Sequence, residues 1–418
     1  MYGQCSPKYS DKHTIRKVEM SAECRACGSS QLKVLVDFGL MPLAGGFLAN
    51  DHDQAAEELY PLVVHICEVC ALVQICDPID HNILFRDYSF SASTIPGLVH
   101  HFGDYAAWLH QRFHPDRVVE FGANDGVLLS PLASLGIRAV GVDVSENITQ
   151  MARQRGHDVI TAAFTPDIAT QIRESIGRVD LVTGSNAFAH NADPGLILEA
   201  SEQVLTEGGR LCLELMYSGD LYEQLQWDTL YHEHLTFYGL SQLLILLRRY
   251  GFEVEHAERI PMHGGSLRVV AARLGEASPD ASVRELLEYE ERLGITDAAT
   301  WHDFAQRSLR TIDVVKTVFE DLRPGRHIWA YGAAGKATMW VNACKLDYLE
   351  GVVDASPLRA GKRMPGTHTP ICSPAEFRNS TRPDVVLVTA WNYLDAIRKG
   401  ESWYGGLWAV PLPSLSFS

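Results

Sequence analysis

No apolar run in these 418 residues approaches the roughly 18 needed for a membrane-crossing helix. The first twenty, Met1 to Met20, are polar and mixed in charge, without the apolar core of a signal peptide. A cytoplasmic protein with no membrane partner is therefore expected. Positive charge is also scarce: 36 Lys and Arg stand against 52 Asp and Glu, a net charge of -16. With no basic stripe interleaved with aromatics, this balance argues against a general nucleic-acid binder. Short-period repeats and low-complexity tracts are missing too. So are the dinucleotide fingerprint Gly-x-Gly-x-x-Gly and the Walker phosphate loop, and His232 and His234 stand two apart, not the four that a zinc-protease helix needs. The length exceeds the usual size of one core, so two or three domains are expected.

Nine cysteines, an odd number, exclude a disulfide framework as the simplest reading. Four of them form two close pairs, Cys24-Arg-Ala-Cys27-Gly28 and Cys67-Glu-Val-Cys70. A Cys-x-x-Cys turn lets two thiolates grip one tetrahedral ion, and two such knuckles complete its shell. With no position left for water or substrate, a structural zinc is implied. The knuckles are separated by residues 28–66, so the insert should form strands and a loop around Met41-Pro42-Leu43-Ala44-Gly45-Gly46-Phe47. Cys5, Cys76, Cys212, Cys344 and Cys372 are isolated and read as core or incidental thiols.

Beyond Asp77-Pro78, with Tyr88 just upstream, a polar stretch precedes a helical segment, His100 to Phe113. Then Arg117-Val-Val-Glu120-Phe-Gly122-Ala-Asn124-Asp125-Gly126 reads as a strand running into a glycine loop, and Ala139-Val-Gly-Val142 as a second strand ending in Asp143. In a doubly wound sheet, glycines let the backbone approach a nucleoside, and an acid after the second strand takes the ribose hydroxyls. Glu-x-Gly-x-x-x-Gly with that acid roughly 20 residues on is the S-adenosylmethionine version of this device. Glu120 suits a cofactor that is cationic near its reactive end. Further strands at Val179–Thr183 and Arg210–Glu214 extend the sheet, and the loop after the first would turn Asn186 and His190 towards the ligand crevice.

Tyr231-His232-Glu233-His234 sets four proton-handling groups in a row between apolar Leu230 and Leu235. In an extended segment His232 and His234 would share one face and Tyr231 and Glu233 the other, whereas a turn lets them converge. Either way the run reads as a proton-transfer site in a buried or half-buried loop. After an amphipathic stretch from Ser282 to Leu322, a third unit begins. A strand, Arg326–Ala330, leads into the glycine turn Tyr331-Gly332-Ala-Ala-Gly335-Lys336, and strands Gly351–Asp354 and Asp384–Thr389 follow. The helix N-terminal amides with Lys336 make a diphosphate cradle.

The four-cysteine module, Glu-Phe-Gly-Ala-Asn-Asp-Gly, Tyr-His-Glu-His, His263-Gly-Gly-Ser-Leu-Arg268 and Tyr331-Gly-Ala-Ala-Gly-Lys336, in that order, resemble the sugar C-methyltransferases of antibiotic deoxysugar pathways. The resemblance runs from about Cys24 to the C-terminus. It implies an α/β protein in three parts: a zinc-binding module at 1–78, a Rossmann-like S-adenosylmethionine methyltransferase domain at 79–265, and a second Rossmann-like domain at 266–418. It implies zinc held by Cys24, Cys27, Cys67 and Cys70, and cofactor bound at Glu120, Gly122, Asn124, Gly126, Asp143 and Asn186. A thymidine-diphosphate 4-keto-deoxysugar, methylated at C-3, would meet Arg268, Tyr331, Gly332 and Lys336. Tyr88, Tyr231, Glu233 and His234 would surround the sugar. His234 is the expected base, with Glu233 orienting it, the two tyrosines as donors to the enolate oxygen, and His190 in reserve. A monomer acting on a small molecule is expected. Two other readings are an RNA methyltransferase with zinc knuckles and a nicotinamide-dependent nucleotide-sugar dehydrogenase. The first is opposed by the acidic charge, and the second leaves the Glu120-to-Asp143 segment and the histidine run without a role.

Overall fold

A computed structural model describes residues 23–49, 54, 56–85 and 88–418, and places them in three sheets. Cys5 lies outside the described residues. The first sheet is antiparallel and small. Its strands Leu32–Pro42, Leu59–Cys67 and Val73–Ile75 carry the second cysteine knuckle in the turn that follows Cys67. Its fourth strand comes from far along the chain: Thr236–Phe237, directly after the Tyr-His-Glu-His run, pairs with Val73–Ile75.

The central sheet has seven strands in the spatial order Phe252–Ile260, Ser266–Arg273, Leu205–Met216, Val179–Ser185, Arg117–Phe121, Arg138–Asp143 and Asp158–Thr161. The last five run parallel, and the first two form an antiparallel hairpin on its edge. The inner strand Arg117–Phe121 is almost wholly buried, as a parallel strand covered by helices on both faces must be. Helices Pro96–Phe113, Glu146–Gln154, Pro166–Ile176 and Pro194–Val204 belong to this layer. Asp193 caps the last, accepting from the Gly195 amide at 2.9 Å, with proline at its first turn. Because Ser266–Arg273 completes this sheet, the expected boundary at 265/266 falls inside a hairpin. The middle unit runs past Arg273.

The amphipathic stretch is two helices, Ala281–Leu293 and Ala298–Leu322, separated at Gly294, whose left-handed backbone (φ 75°) ends the first. The third sheet follows, with strands Ile371–Cys372, Val352–Val353, Ile328–Tyr331, Val385–Val388 and Leu407–Val410 parallel and Ser416–Phe417 antiparallel. One continuous core joins the first and third sheets: Val64, Phe237, Trp227, Leu230, Trp340 and Val385 belong to a single cluster. The histidine run lies where these layers meet. No helix among the described residues is long and apolar enough to cross a membrane.

Candidate active site

Cys24, Cys27, Cys67 and Cys70 bring their sulfurs within 4.8 Å of one another. Cys24 and Cys70 stand 3.5 Å apart, and Cys27 and Cys67 3.6 Å. Thiolates around a tetrahedral zinc at about 2.3 Å stand roughly 3.8 Å apart, so the cluster fits that ion with little adjustment. Arg25, inside the first knuckle, turns away from the sulfurs. Its guanidinium donates to the carbonyls of Ala192 (2.8 Å), Ile75 (2.7 Å) and Leu235 (3.4 Å). It therefore ties the knuckle to the loop after His190 and to the residue after His234. The other side of the module is fastened by Gln242, which donates to the Cys70 carbonyl at 2.8 Å, and by Arg249, which donates to that of Ala26 at 2.5 Å.

The glycine loop after Arg117–Phe121 is shaped as expected. Gly122 has φ 68°, and a Cβ there would overlap that of Ala187; Gly126 has φ 81°, and its Cβ would sit 2.6 Å from the His157 ring. Asn124 takes the left-handed conformation and donates its amide to Asp143 at 2.9 Å, while the other oxygen of Asp143 accepts from Ser145. Glu120 is buried with Oε2 unpaired, and burial, reinforced by the charges of Asp143 and Asp125, holds its carboxyl well above the usual range. An orphan acid of this kind fits a ligand that brings its own positive charge. Asn186, also left-handed, has its amide held by the Glu214 carbonyl at 2.7 Å. Asp125 fastens a strap over this loop. It accepts from the Ser91 and Ser93 hydroxyls, both 2.5 Å, and pairs with Arg155 at 3.2 Å. Tyr88 heads that strap, its carbonyl held by Asn147 at 3.0 Å.

The histidine run forms a turn in which the Tyr231 and His234 side chains meet. The His234 amide closes it on the Tyr231 carbonyl at 2.9 Å. His232 points the other way, to the Pro61 carbonyl at 3.2 Å on the zinc-module sheet. Ring contacts link the rest: Tyr231 to His234 at 4.1 Å, His234 to His190 at 5.0 Å, His190 to Phe85 at 6.2 Å, and Phe85 to Tyr88 at 5.2 Å. His234 Nδ1 lies 2.7 Å from the Thr229 carbonyl. A carbonyl only accepts, so Nδ1 carries the proton and Nε2 presents its lone pair. Burial, with His190 beside it, holds the His234 imidazole well below its usual pKa, and burial brings His190 down to about 4. Both are neutral bases at working pH. Tyr231 and Tyr88 keep their protons, since burial raises both phenols and the charge of Glu233 adds to the effect.

Glu233 was expected to orient His234, and the structure assigns that task to Thr229. The Glu233 carboxylate instead meets the amide of Gly45 in the zinc-module loop, and burial raises it to about 7 against the opposing pull of Gly45 and Arg359. A Cβ on Gly45 would stand 2.9 Å from its Oε1, so the close approach needs glycine.

The C-terminal glycine turn faces this same junction. A Cβ on Gly335 would lie 2.7 Å from the Tyr231 ring, and Gly332, φ 104°, lets Ala390 pack against it. Lys336 rests its Nζ 4.1 Å over the Trp391 ring, shielded and with no hydrogen-bond partner. Thr338 on the same helix, Gly335–Ala343, donates to the Ala44 carbonyl at 3.2 Å. Two expected substrate residues have their polar groups already engaged by the scaffold. Arg268 is committed to Glu214 (2.6 and 2.8 Å) and Glu258 (2.8 Å), and lies over the rings of Tyr105 and Trp108. Tyr331 points to the far face of its sheet, among Phe377 and Trp408, and donates to Glu401 at 3.0 Å. The residues missed in the sequence are Asp125, Arg25 and Thr229. Only Asp125, inside the glycine loop, carried a positional signal.

Three family models cover most of the chain: "Putative zinc binding domain" at residues 24–85, "Methyltransferase domain" at 97–257 and "C-methyltransferase C-terminal domain" at 261–413. The C-methyltransferase NovU of Streptomyces niveus is 33% identical over 407 residues, which cover 94% of this chain and 95% of that protein. A ubiquinone biosynthesis O-methyltransferase of Caulobacter sp. (strain K31) is 33% identical over 95 residues, 22% of this chain and 38% of that one. Among solved structures, magnesium protoporphyrin IX methyltransferase from Synechocystis PCC 6803 with bound SAM is 17% identical, with TM-score 0.33, covering 42% of this chain and 80% of that one. PH0226 protein from Pyrococcus horikoshii OT3 is 15% identical, with TM-score 0.36, covering 44% and 95%. The methyltransferase model and the NovU match make S-adenosylmethionine the cofactor of the central domain, and the zinc-binding model makes zinc the ion for the four thiolates. The full-length match to NovU settles the family: this chain belongs to the S-adenosylmethionine-dependent C-methyltransferases.

Proposed function

We propose that the protein methylates C-3 of a thymidine-diphosphate 4-keto-deoxyhexose, making a branched deoxysugar of the antibiotic type. The observation that carries this reading is the His234 imidazole, neutral, with Nδ1 tied to Thr229 and Nε2 unengaged among the described residues. A ketone at C-4 acidifies the C-3 hydrogen. His234 Nε2 takes that proton, the electron pair of the C–H bond becomes the enolate, and the phenols of Tyr231 and Tyr88 hydrogen-bond its oxygen. S-adenosylmethionine, when bound along Glu120 and Asp143, supplies an electrophilic methyl group for the resulting carbon nucleophile. Glu233, once ionised, offsets the positive charge left on His234. His190, buried and neutral beside it, fills the space that solvent would otherwise take. Lys336 and the Gly332–Gly335 turn meet the diphosphate-bearing end of the substrate, while Arg268 and Tyr331 hold the scaffold. The enzyme acts as a cytoplasmic monomer on this small molecule.

Turnover of a panel of nucleotide 4-keto-sugars with methyl-labelled cofactor tests the reading. Label should enter only sugars with a C-3 hydrogen next to the ketone, and deuterium at C-3 should be lost. Labelled product from a sugar lacking the ketone would refute the enolate.

A further inference from the structure

Asp228 sits one residue before the carbonyl that orients His234. Its side chain is fully buried. Oδ2 accepts from two indoles of the C-terminal domain, Nε1 of Trp340 and Nε1 of Trp391, both at 2.9 Å. Trp340 lies on helix Gly335–Ala343 and Trp391 in the turn Trp391–Tyr393, so one oxygen gathers two separate elements. Oδ1 has no hydrogen-bond partner, nor has Lys336 Nζ above the Trp391 ring.

The other end of this turn leads into the site. The Thr229 hydroxyl donates to the Gln226 carbonyl at 2.8 Å, the Gln226 side-chain Nε2 to the Gly264 carbonyl at 2.6 Å, and Trp227 meets Trp340 edge-on at 4.4 Å. The turn Trp227–Thr229 is therefore held from both sides, and Thr229 passes its position to His234 Nδ1 at 2.7 Å. A buried carboxylate is a costly way to stabilise a core; well-packed apolar residues usually do as well or better. What the carboxylate adds is a fixed position relative to two donors.

On the reading of His234 as the base, we propose that Asp228 is a positioning residue that couples the seating of the C-terminal domain to the orientation of the His234 imidazole. Its carboxylate fixes Trp340 and Trp391 on one side, and its neighbour's carbonyl fixes the histidine on the other. A shift of the Trp391 turn then moves the Thr229 carbonyl and loosens the tautomer that leaves Nε2 free.

The full-length zinc-loaded protein tests this with Asp228→Asn, Trp391→Phe and the double variant. Each single change should lower kcat by roughly 10²-fold, the scale of a misplaced reacting group, while the Kd for S-adenosylmethionine stays within about twofold. The double variant should be no worse than the poorer single one, because both cut the same path. Imidazole nitrogen NMR gives a readout independent of turnover, with His234→Asn identifying the signal. The wild type should show one Nδ1–H tautomer at His234, and Asp228→Asn a mixture. An unchanged tautomer, or additive losses in the double variant, would overturn the proposal. If Asp228→Asn does not fold, Trp391→Phe carries the same two measurements. A wild type inactive on every 4-keto nucleotide sugar would sink the functional reading, while the tautomer shift would still decide on Asp228.

Discussion

His234 and Thr229 are joined by a bond from imidazole Nδ1 to a main-chain carbonyl at 2.7 Å, and that bond decides which nitrogen can act as a base. It follows that His234→Asn should lose methyl transfer by about 10²–10⁴-fold, the usual contribution of a general base. Both ligands should still bind, since neither Glu120 nor Lys336 is touched. Single-turnover transfer and calorimetry on the same preparation check this. His190→Asn serves as the comparison, and should be the milder change because His190 acts through packing.

Glu233 predicts a pH effect that His234 does not. Burial holds the imidazole well below its ordinary pKa, so it gives no titration near neutrality. Glu233, raised to about 7, does. Activity should rise through pH 7 as its carboxylate forms, and Glu233→Gln should flatten that limb while lowering the plateau. Stability moves the opposite way. Unfolded glutamate ionises near 4.3, so between about pH 4 and 7 the folded state holds more protons than the unfolded state, and wild-type stability falls as pH rises through that window. The Tm of wild type relative to Glu233→Gln should therefore drop between pH 5 and 8 and then level off. A constant difference would mean that Glu233 ionises normally.

What could be read from the residues, and what could not, divides along a physical line. Cysteine knuckles and the glycine loop were legible because thiolate pairs and positive-φ turns demand particular residue types at fixed spacing. The histidine run was legible as chemistry, not as geometry. Its orienting partner is the carbonyl of Thr229, and every residue has a carbonyl. Arg268 and Tyr331 look like ligand residues in a motif, but Glu214 lies 54 positions away in sequence and Glu401 70, so nothing local shows that their polar groups are already satisfied. The strand Thr236–Phe237 is two residues long, too short for any periodicity, yet it pins the histidine turn to the zinc module.

The two glycine-turn domains should separate by ligand. Asp143→Ala removes the acceptor of the Asn124 amide as well as the expected ribose contact, and should weaken S-adenosylmethionine by roughly ten- to a hundredfold, equivalent to one or two hydrogen bonds to a charged group. Nucleotide-sugar affinity should change little. Lys336→Ala should do the reverse. Calorimetric titration of each ligand into each variant reads the split; an equal loss of both ligands in either variant would argue against separate sites.

Zinc should matter for catalysis as well as for folding, because Arg25 joins the two. Cys27→Ser should lower metal content and Tm together, as loss of one of four thiolates does to a closed site. Arg25→Ala separates the effects. It leaves all four sulfurs in place, so zinc measured by atomic spectroscopy should remain at one per chain. It also releases the carbonyls of Ala192 and Leu235, which lie just beyond His190 and His234. A buried guanidinium holding three carbonyls is worth several charge-assisted bonds of about 1.5–3 kcal/mol each, so Tm should fall too. The distinguishing result is in kinetics: kcat should fall, and kcat/KM for the cofactor by the same factor, with S-adenosylmethionine affinity unchanged. Arg25→Lys, which keeps the charge but not the fork, should recover stability more than turnover. Full turnover in Arg25→Ala with zinc retained would confine the module to folding.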